Sequence, residues 1–198
     1  MTVLTAWISI GSTYTYLTAA RLRRVITQHD IDITFKPFSV RQIMKNMNNI
    51  PFPPEKEQKV AHMWRDIERR AQFYDIPAPK VPAPYPLAAF DRANRVGIVA
   101  NQEGWYLDYL EHTYHEWFVK GLPAGDQSNL STVCSELGQD MDRVIAASDS
   151  ETVQSTYHKT TEEAAALGVF GAPSFSVGSE IFWGDDRLED AIRWQKDH

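Results

Sequence analysis

One cysteine, Cys134, is all that the 198 residues contain. No intrachain disulfide, CxxC redox pair or cysteine-based zinc site can be built from it. Its setting, the helical stretch "NLSTVCSELG" with Asn129 as cap and Gly138 as stop, reads it as a small core hydrophobe. No apolar run approaches the ~20 residues of a membrane span. No basic n-region with a small-residue cleavage site opens the chain. The expectation is therefore a cytoplasmic protein without membrane association. Positive charge is also scarce: 20 Lys and Arg against 26 Asp and Glu give −6 at pH 7. The cations are dispersed rather than gathered into the patch that a nucleic-acid backbone requires, which argues against a nucleic-acid partner. The hydrolase G-x-S-x-G, the P-loop, the dinucleotide fingerprint and HExxH are all missing. His112 and His115 in "EHTYHE" can share a helix face, but no third ligand follows at a metal-site spacing, and no metal is expected.

What is present is organised in three stretches. Leu4, Ala6, Ile8 and Ile10 alternate with Val3, Trp7 and Ser9, so residues 2–10 predict a strand buried on both faces. A helix is expected over 13–29, and the alternation of "IDITFKPF" predicts a second strand, parallel to the first in a βαβ unit. From about 40 to 167 only helices are expected. Val60, Met63, Trp64, Ile67 and Ala71 recur at helical spacing, as do Tyr106, Leu110, Tyr114 and Trp117 up to Gly121. A third set runs from a Ser150 cap through Val153, Tyr157 and Ala164 to Gly168. Strands return in "PSFSV" and "EIFW", joined at Gly178–Ser179 by a hairpin turn. A last helix follows with Asp185 as its N-cap. The order βαβ, helical block, ββα is that of an α/β, thioredoxin-like sheet with a large all-helical insertion. The expected division is one unit, 1–198, with residues 1–39 and 168–198 forming the thioredoxin-like part and 40–167 the insertion.

Three places carry candidate chemistry. In "GSTYTYL" the Ser12 hydroxyl sits where a helix must begin; it either caps the helix or holds something reactive at the helix end. In "GVFGAPSFSV" Pro173 opens a strand, where its missing N–H is tolerated. In a thioredoxin-like fold this proline is cis, and Ala172 before it offers its backbone N–H and C=O to an extended, peptide-like ligand. In "FWGDDRL" Asp185 and Asp186 either complement the dipole of the helix that follows or hold a cationic amino group. With no base signalled beside Ser12, a Ser-His-Asp hydrolase is not indicated.

Taken together, "GSTYTYL", "NNIP", Lys59, "DIERRAQFYDIP", "APYP", "GVFGAPSF" and "FWGDDRL" resemble the 2-hydroxychromene-2-carboxylate isomerases. These are kin of the kappa-class glutathione transferases and of DsbA-type oxidoreductases. The resemblance runs from about residue 3 to 194. It implies a thioredoxin-like fold, glutathione as cofactor, a homodimer, and an isomerase acting on aromatic catabolites. A transferase conjugating another electrophile, or a glutathione- or peptide-binding protein without chemistry, is the alternative. By the same resemblance Ser12 stands where the oxidoreductases carry a reactive cysteine and steadies the glutathione thiolate. Ala172, Pro173, Trp183, Gly184, Asp185 and Asp186 match cofactor-contacting positions; Asn49, Lys59 and Tyr85 fall near positions lining the substrate cleft. Thr13, Ser9 and Ala88 replace a Pro, an Asp and an Asn common in the family. A thiol of pKa about 8.5 is only about 3% ionised at pH 7, and lowering it to about 6.5 takes ~2.7 kcal/mol. A hydroxyl hydrogen bond to the charged sulfur (~1.5–3 kcal/mol) and a helix N-terminus (~0.3–1 kcal/mol) are expected to cover that.

Overall fold

The short alternating runs at the two ends of the chain meet in one sheet. The computed structural model describes residues 3–50, 52–53 and 55–198. Its strands are β1 (Leu4–Ile8), β2 (Ile33–Pro37), β3 (Ser174–Val177) and β4 (Glu180–Trp183), in the order β2-β1-β3-β4. β1 and β2 run parallel, with Ala6 opposite Phe35, whereas β3 lies antiparallel to β1, with Phe175 opposite Ala6. β4 closes the hairpin at Val177–Glu180, across Gly178 and Ser179. The helices are α1 (Thr15–Ala19), α2 (Leu22–His29), α3 (Val40–Asn46), α4 (Glu57–Phe73), α5 (Phe90–Gln102), α6 (Tyr106–His115), α7 (Gln127–Glu136), α8 (Met141–Ser148), α9 (Glu151–Leu167) and α10 (Leu188–Asp197). The fold is a mixed sheet flanked by helices, with a large helical insertion between β2 and β3, as the element order predicts. Among the described residues no helix is long and apolar enough to cross a membrane.

Leu4, Ala6, Ile8, Leu17, Leu22, Phe175, Leu188 and Ile192 are buried between the sheet and its helices. The insertion is fastened to that core through aromatic rings. Tyr16 of α1 stacks on Phe118 at 4.5 Å with planes 2° apart, and Phe118 in turn meets Trp64 of α4 and Tyr114 of α6. Such pairs add about 0.5–1.5 kcal/mol each beyond their buried area. The Ser150 cap and the left-handed Gly168 stop of α9 are where the sequence puts them.

Several local expectations change. Thr2, at the start of the first predicted strand, lies outside the described residues; the strand itself ends at Ile8, so Ile10 belongs to the loop after it. The helix expected over 13–29 is two helices, because the chain breaks at Ala20–Arg21. Arg21, 2% exposed, turns its guanidinium inward to the Glu189 carboxylate and the Asp185 carbonyl. The helix carrying Cys134 starts at Gln127, with Asp126 as cap residue. Asn129 lies inside it and donates its amide to the Thr113 and Leu122 carbonyls. After His115 a π-helical turn, Glu116–Lys120, carries α6 on to Gly121. Asp185 is not the cap of the last helix; it opens a 3-10 turn, Asp185–Arg187, and α10 begins at Leu188.

Candidate functional site

Ser12 lies in the turn between β1 and α1, partly exposed. Its N–H bonds the Ser9 carbonyl at 3.2 Å. The hydroxyl donates to the carbonyl of Ala172 at 2.6 Å, and the Ala172–Pro173 peptide is cis. Ser12 is therefore not a helix cap: the cap residue of α1 is Tyr14, without a side-chain bond to the helix end. The sequence Ser12-Thr13-Tyr14-Thr15 puts hydroxyls at both ends of the spacing where a C-x-x-C has sulfurs, so the chain's own atoms supply no thiol–disulfide chemistry here. Thr13 is buried and turns its hydroxyl to the Met63 sulfur at 3.1 Å. Ser9 is buried as well and accepts the Val40 N–H at 3.2 Å. Ala88 is exposed.

The loop before β3 and the end of β4 are joined by the Gly184 N–H, which bonds the Pro173 carbonyl at 3.0 Å. Trp183 is 54% exposed and packs on Phe170 at 4.8 Å. A Cβ on Gly171 would fall 2.2 Å from the Trp183 indole nitrogen, so only glycine lets the indole lie on this loop. The two neighbouring acids differ sharply. Asp185 is 2% exposed and its carboxylate bonds Arg70 of α4 at 2.8 Å. Burial pushes that carboxyl up to about 6, even with Arg70 and Arg21 beside it. Asp186 is exposed, 3.2 Å from Arg187 and 3.9 Å from Arg70, and is the acid of the pair open to a ligand.

Two walls flank Gly11 and Ser12. On one, the Tyr14 hydroxyl bonds Asp66 at 3.0 Å, and its ring lies 6.4 Å from Phe52, over which the Lys59 ammonium sits at 5.2 Å. Burial and the Asp66 carboxylate push the Tyr14 phenol up. On the other, the Arg41 guanidinium lies 4.1 Å over Phe90 and bonds the Leu87 carbonyl at 3.0 Å. Tyr85 on this wall meets Trp64 edge-on, and burial raises its phenol while Arg41 opposes that. Tyr85 thus packs on α4, the helix that also carries Lys59. Asn49 is exposed in the turn after α3, its N–H on the Met44 carbonyl at 2.9 Å.

Residues that sequence reasoning missed are Tyr14, Asp66 and Arg70 on one side and Arg41 on the other. Asp66 and Arg70 are four apart on α4, a spacing that puts both on one helix face; that is the only local signal they give. Away from the site, His112 meets Glu136 at 2.7 Å, and among the described residues no group of three or more His, Cys, Asp or Glu is placed to hold a metal ion. Cys134 is 1% exposed and burial pushes its thiol up, the reverse of what a reactive thiol needs. Cys134→Ala is expected to keep any glutathione-dependent turnover within about twofold, since a buried, un-ionised thiol contributes packing and no nucleophile; a loss of turnover in a folded variant would make the thiol catalytic.

A family model described as a DSBA-like thioredoxin domain matches residues 3–192. The chain belongs to that family. Within it, the chain is 27% identical over 179 residues to a 2-hydroxychromene-2-carboxylate isomerase of Sphingobium xenophagum, covering 90% of each chain. It is 25% identical over 199 residues to a glutathione S-transferase kappa 2 of Caenorhabditis elegans, covering 94% of this chain and 88% of the relative. In fold it superposes on a solved 2-hydroxychromene-2-carboxylate isomerase with a TM-score of 0.85 at 22% identity, over 98% of this chain and 95% of the other.

Proposed function

We propose that this chain is a glutathione-dependent isomerase of 2-hydroxychromene-2-carboxylate-type aromatic compounds, working as a cytoplasmic homodimer. The observation that carries the reading is the meeting of the Ser12 hydroxyl with Ala172 at the cis-proline loop, in a chain whose relatives bear that activity's name. The donor set fits glutathione: a half-exposed hydroxyl for its sulfur, the backbone of Ala172 for its peptide, and the open Asp186 carboxylate for its ammonium. Asp185 then serves indirectly, as the buried partner that fixes the 3-10 turn carrying Asp186. Trp183 and Gly184 shape the same edge, and Pro173 aims Ala172. Glutathione held by these residues would supply a sulfur nucleophile for reversible addition to the conjugated substrate. Ser12 holds that sulfur in its charged form. Lys59 and Arg41 suit a substrate that carries a carboxylate, Tyr85, packed on Trp64, offers its ring an aromatic surface, and Asn49, exposed after α3, offers it an amide.

Turnover of the chromene carboxylate, followed by absorbance with and without glutathione, tests the reading; conversion is expected only with glutathione present. The kappa-class relative, matched over 94% of this chain, favours a second reading in which the adduct is kept. A stable glutathione conjugate in the same assay would establish it in place of the first. Glutathione binding with neither product would leave a binding protein.

A further inference from the structure

The turn that carries Ser12 is held from behind by the insertion. Asn94 of α5, 1% exposed, bonds Ile10 on both sides: its side-chain oxygen accepts the Ile10 N–H at 2.8 Å and its amide donates to the Ile10 carbonyl at 2.8 Å. The same amide reaches the Phe90 carbonyl at 2.9 Å, tying the turn to the first residue of α5. The Phe90 ring fills the space beside Gly11, where a Cβ would fall 2.3 Å from the ring and φ is +125°. Tyr114 of α6, fully buried, donates its hydroxyl to the Ser12 carbonyl at 2.9 Å. With the Ser12 N–H on Ser9, the backbone polar groups of Ile10 and Ser12 are all occupied, and the Ser12 side chain is left only its own rotation.

A buried asparagine and a buried tyrosine on inward helix faces are costly unless their polar atoms are bonded. Here, apart from the Asn94 bond back to Phe90 of its own helix, the bonds go to the backbone of one short turn. We propose that Asn94 and Tyr114 are positioning residues: they set the place of the Ser12 hydroxyl and so its strength as a donor to the ligand sulfur. This rests on the reading of Ser12 given above. An oxyanion-type donor is effective only when its direction is fixed before the charge arrives, because a donor free to swing must be ordered during the reaction. The insertion on this account is part of the site, not an addition beside it.

The test is the pH titration of thiolate absorbance in the glutathione complex of the whole chain. For Tyr114→Phe, which removes one hydroxyl and keeps the ring, the bound thiol is expected to titrate about half to one pH unit higher, the scale of one hydrogen bond's orientation. Asn94→Ala, which removes both bonds to Ile10 and adds no charge, is expected to move it in the same direction, and serves if Tyr114→Phe does not fold. In a Ser12→Ala background neither change is expected to move the titration further, because both act through Ser12. A folded Tyr114→Phe or Asn94→Ala with the unaltered titration overturns the proposal, as do shifts that persist without the Ser12 hydroxyl. An unaltered chain whose bound thiol titrates like free glutathione refutes the reading of Ser12 itself, and the proposal with it.

Discussion

Arg70→Met is expected to destabilise the fold by about 3 kcal/mol near pH 7.5 and by only about 1 kcal/mol near pH 5. Removing one partner of a buried ion pair strands the other charge, and Asp185, 2% exposed, has little water to turn to. It takes a proton instead. In the unaltered protein its carboxyl titrates at about 6, above the ~3.9 of an unfolded chain. Between about pH 4 and 6 the folded chain therefore holds a proton that the unfolded chain has released, and stability falls as pH rises through that window. Above about 6 the unaltered protein loses no more, because Asp185 is then ionised in both states and bonded to Arg70 at 2.8 Å. Without Arg70 the carboxyl stays protonated to higher pH, and the loss continues at about 1.4 kcal/mol per unit. The pH-independent part is the bond from Arg70 to the Tyr74 hydroxyl at 2.7 Å, about 1 kcal/mol. Urea unfolding of the unaltered chain and Arg70→Met at the two pH values measures the difference. Adding Asp185→Asn to Arg70→Met should remove from the variant's own stability the fall between about pH 5 and 7.5 that Asp185 causes. An equal loss at both pH values would show that Asp185 is not the group left stranded.

That pair also marks where the sequence stops being readable. Strand alternation and the Gly178–Ser179 turn are local patterns, and they give the β1–β2 and β3–β4 pairs; the pairing of β3 with β1 comes from the structure. Ser12 and Pro173 are legible because each sits at a junction between elements, where the backbone restricts what a residue can be. Asp185 sits at such a junction too, and there the local rule misleads: an acid before a helix looks like a cap, whereas its carboxylate goes to Arg70, 115 residues away in the insertion. Arg21 is similar. Nothing between 13 and 29 is a Gly or Pro, so the helix reads as continuous, but the chain breaks at Arg21, whose buried guanidinium reaches Glu189, 168 residues on. Asn129 has the composition of a cap and instead bridges two carbonyls of the preceding segment. In each case a polar side chain is satisfied by a distant partner, and such pairing leaves no periodicity behind.

The broken helix and the Ala172 carbonyl together change what is expected of Ser12→Ala. A continuous helix over 13–29 would place a full macrodipole behind the ligand sulfur. α1 has five residues and stops at Ala19, so the field behind Ser12 comes from little more than one turn, and its contribution stays at the low end of ~0.3–1 kcal/mol. The hydroxyl is also committed beforehand: it donates to the Ala172 carbonyl at 2.6 Å. To serve a thiolate it must leave that carbonyl, exchanging a neutral hydrogen bond of about 0.5–1.5 kcal/mol for a charged one of about 1.5–3 kcal/mol. The net gain is about 1–1.5 kcal/mol, or about one pH unit. Bound glutathione is therefore expected to titrate near 7.5 rather than 6.5, and in Ser12→Ala near the ~8.5 of a free thiol. At neutral pH the ionised fraction falls several-fold, and glutathione-dependent turnover is expected to fall at least in proportion. The Ala172 carbonyl loses its donor as well, so a stability loss of about 1 kcal/mol accompanies the change and is measured alongside by thermal unfolding. Raising the pH separates the two effects. If Ser12 acts on ionisation, the deficit of Ser12→Ala shrinks towards pH 9, where the thiol of the variant is itself mostly charged; if the deficit is the same at every pH, Ser12 shapes the loop and leaves the sulfur alone.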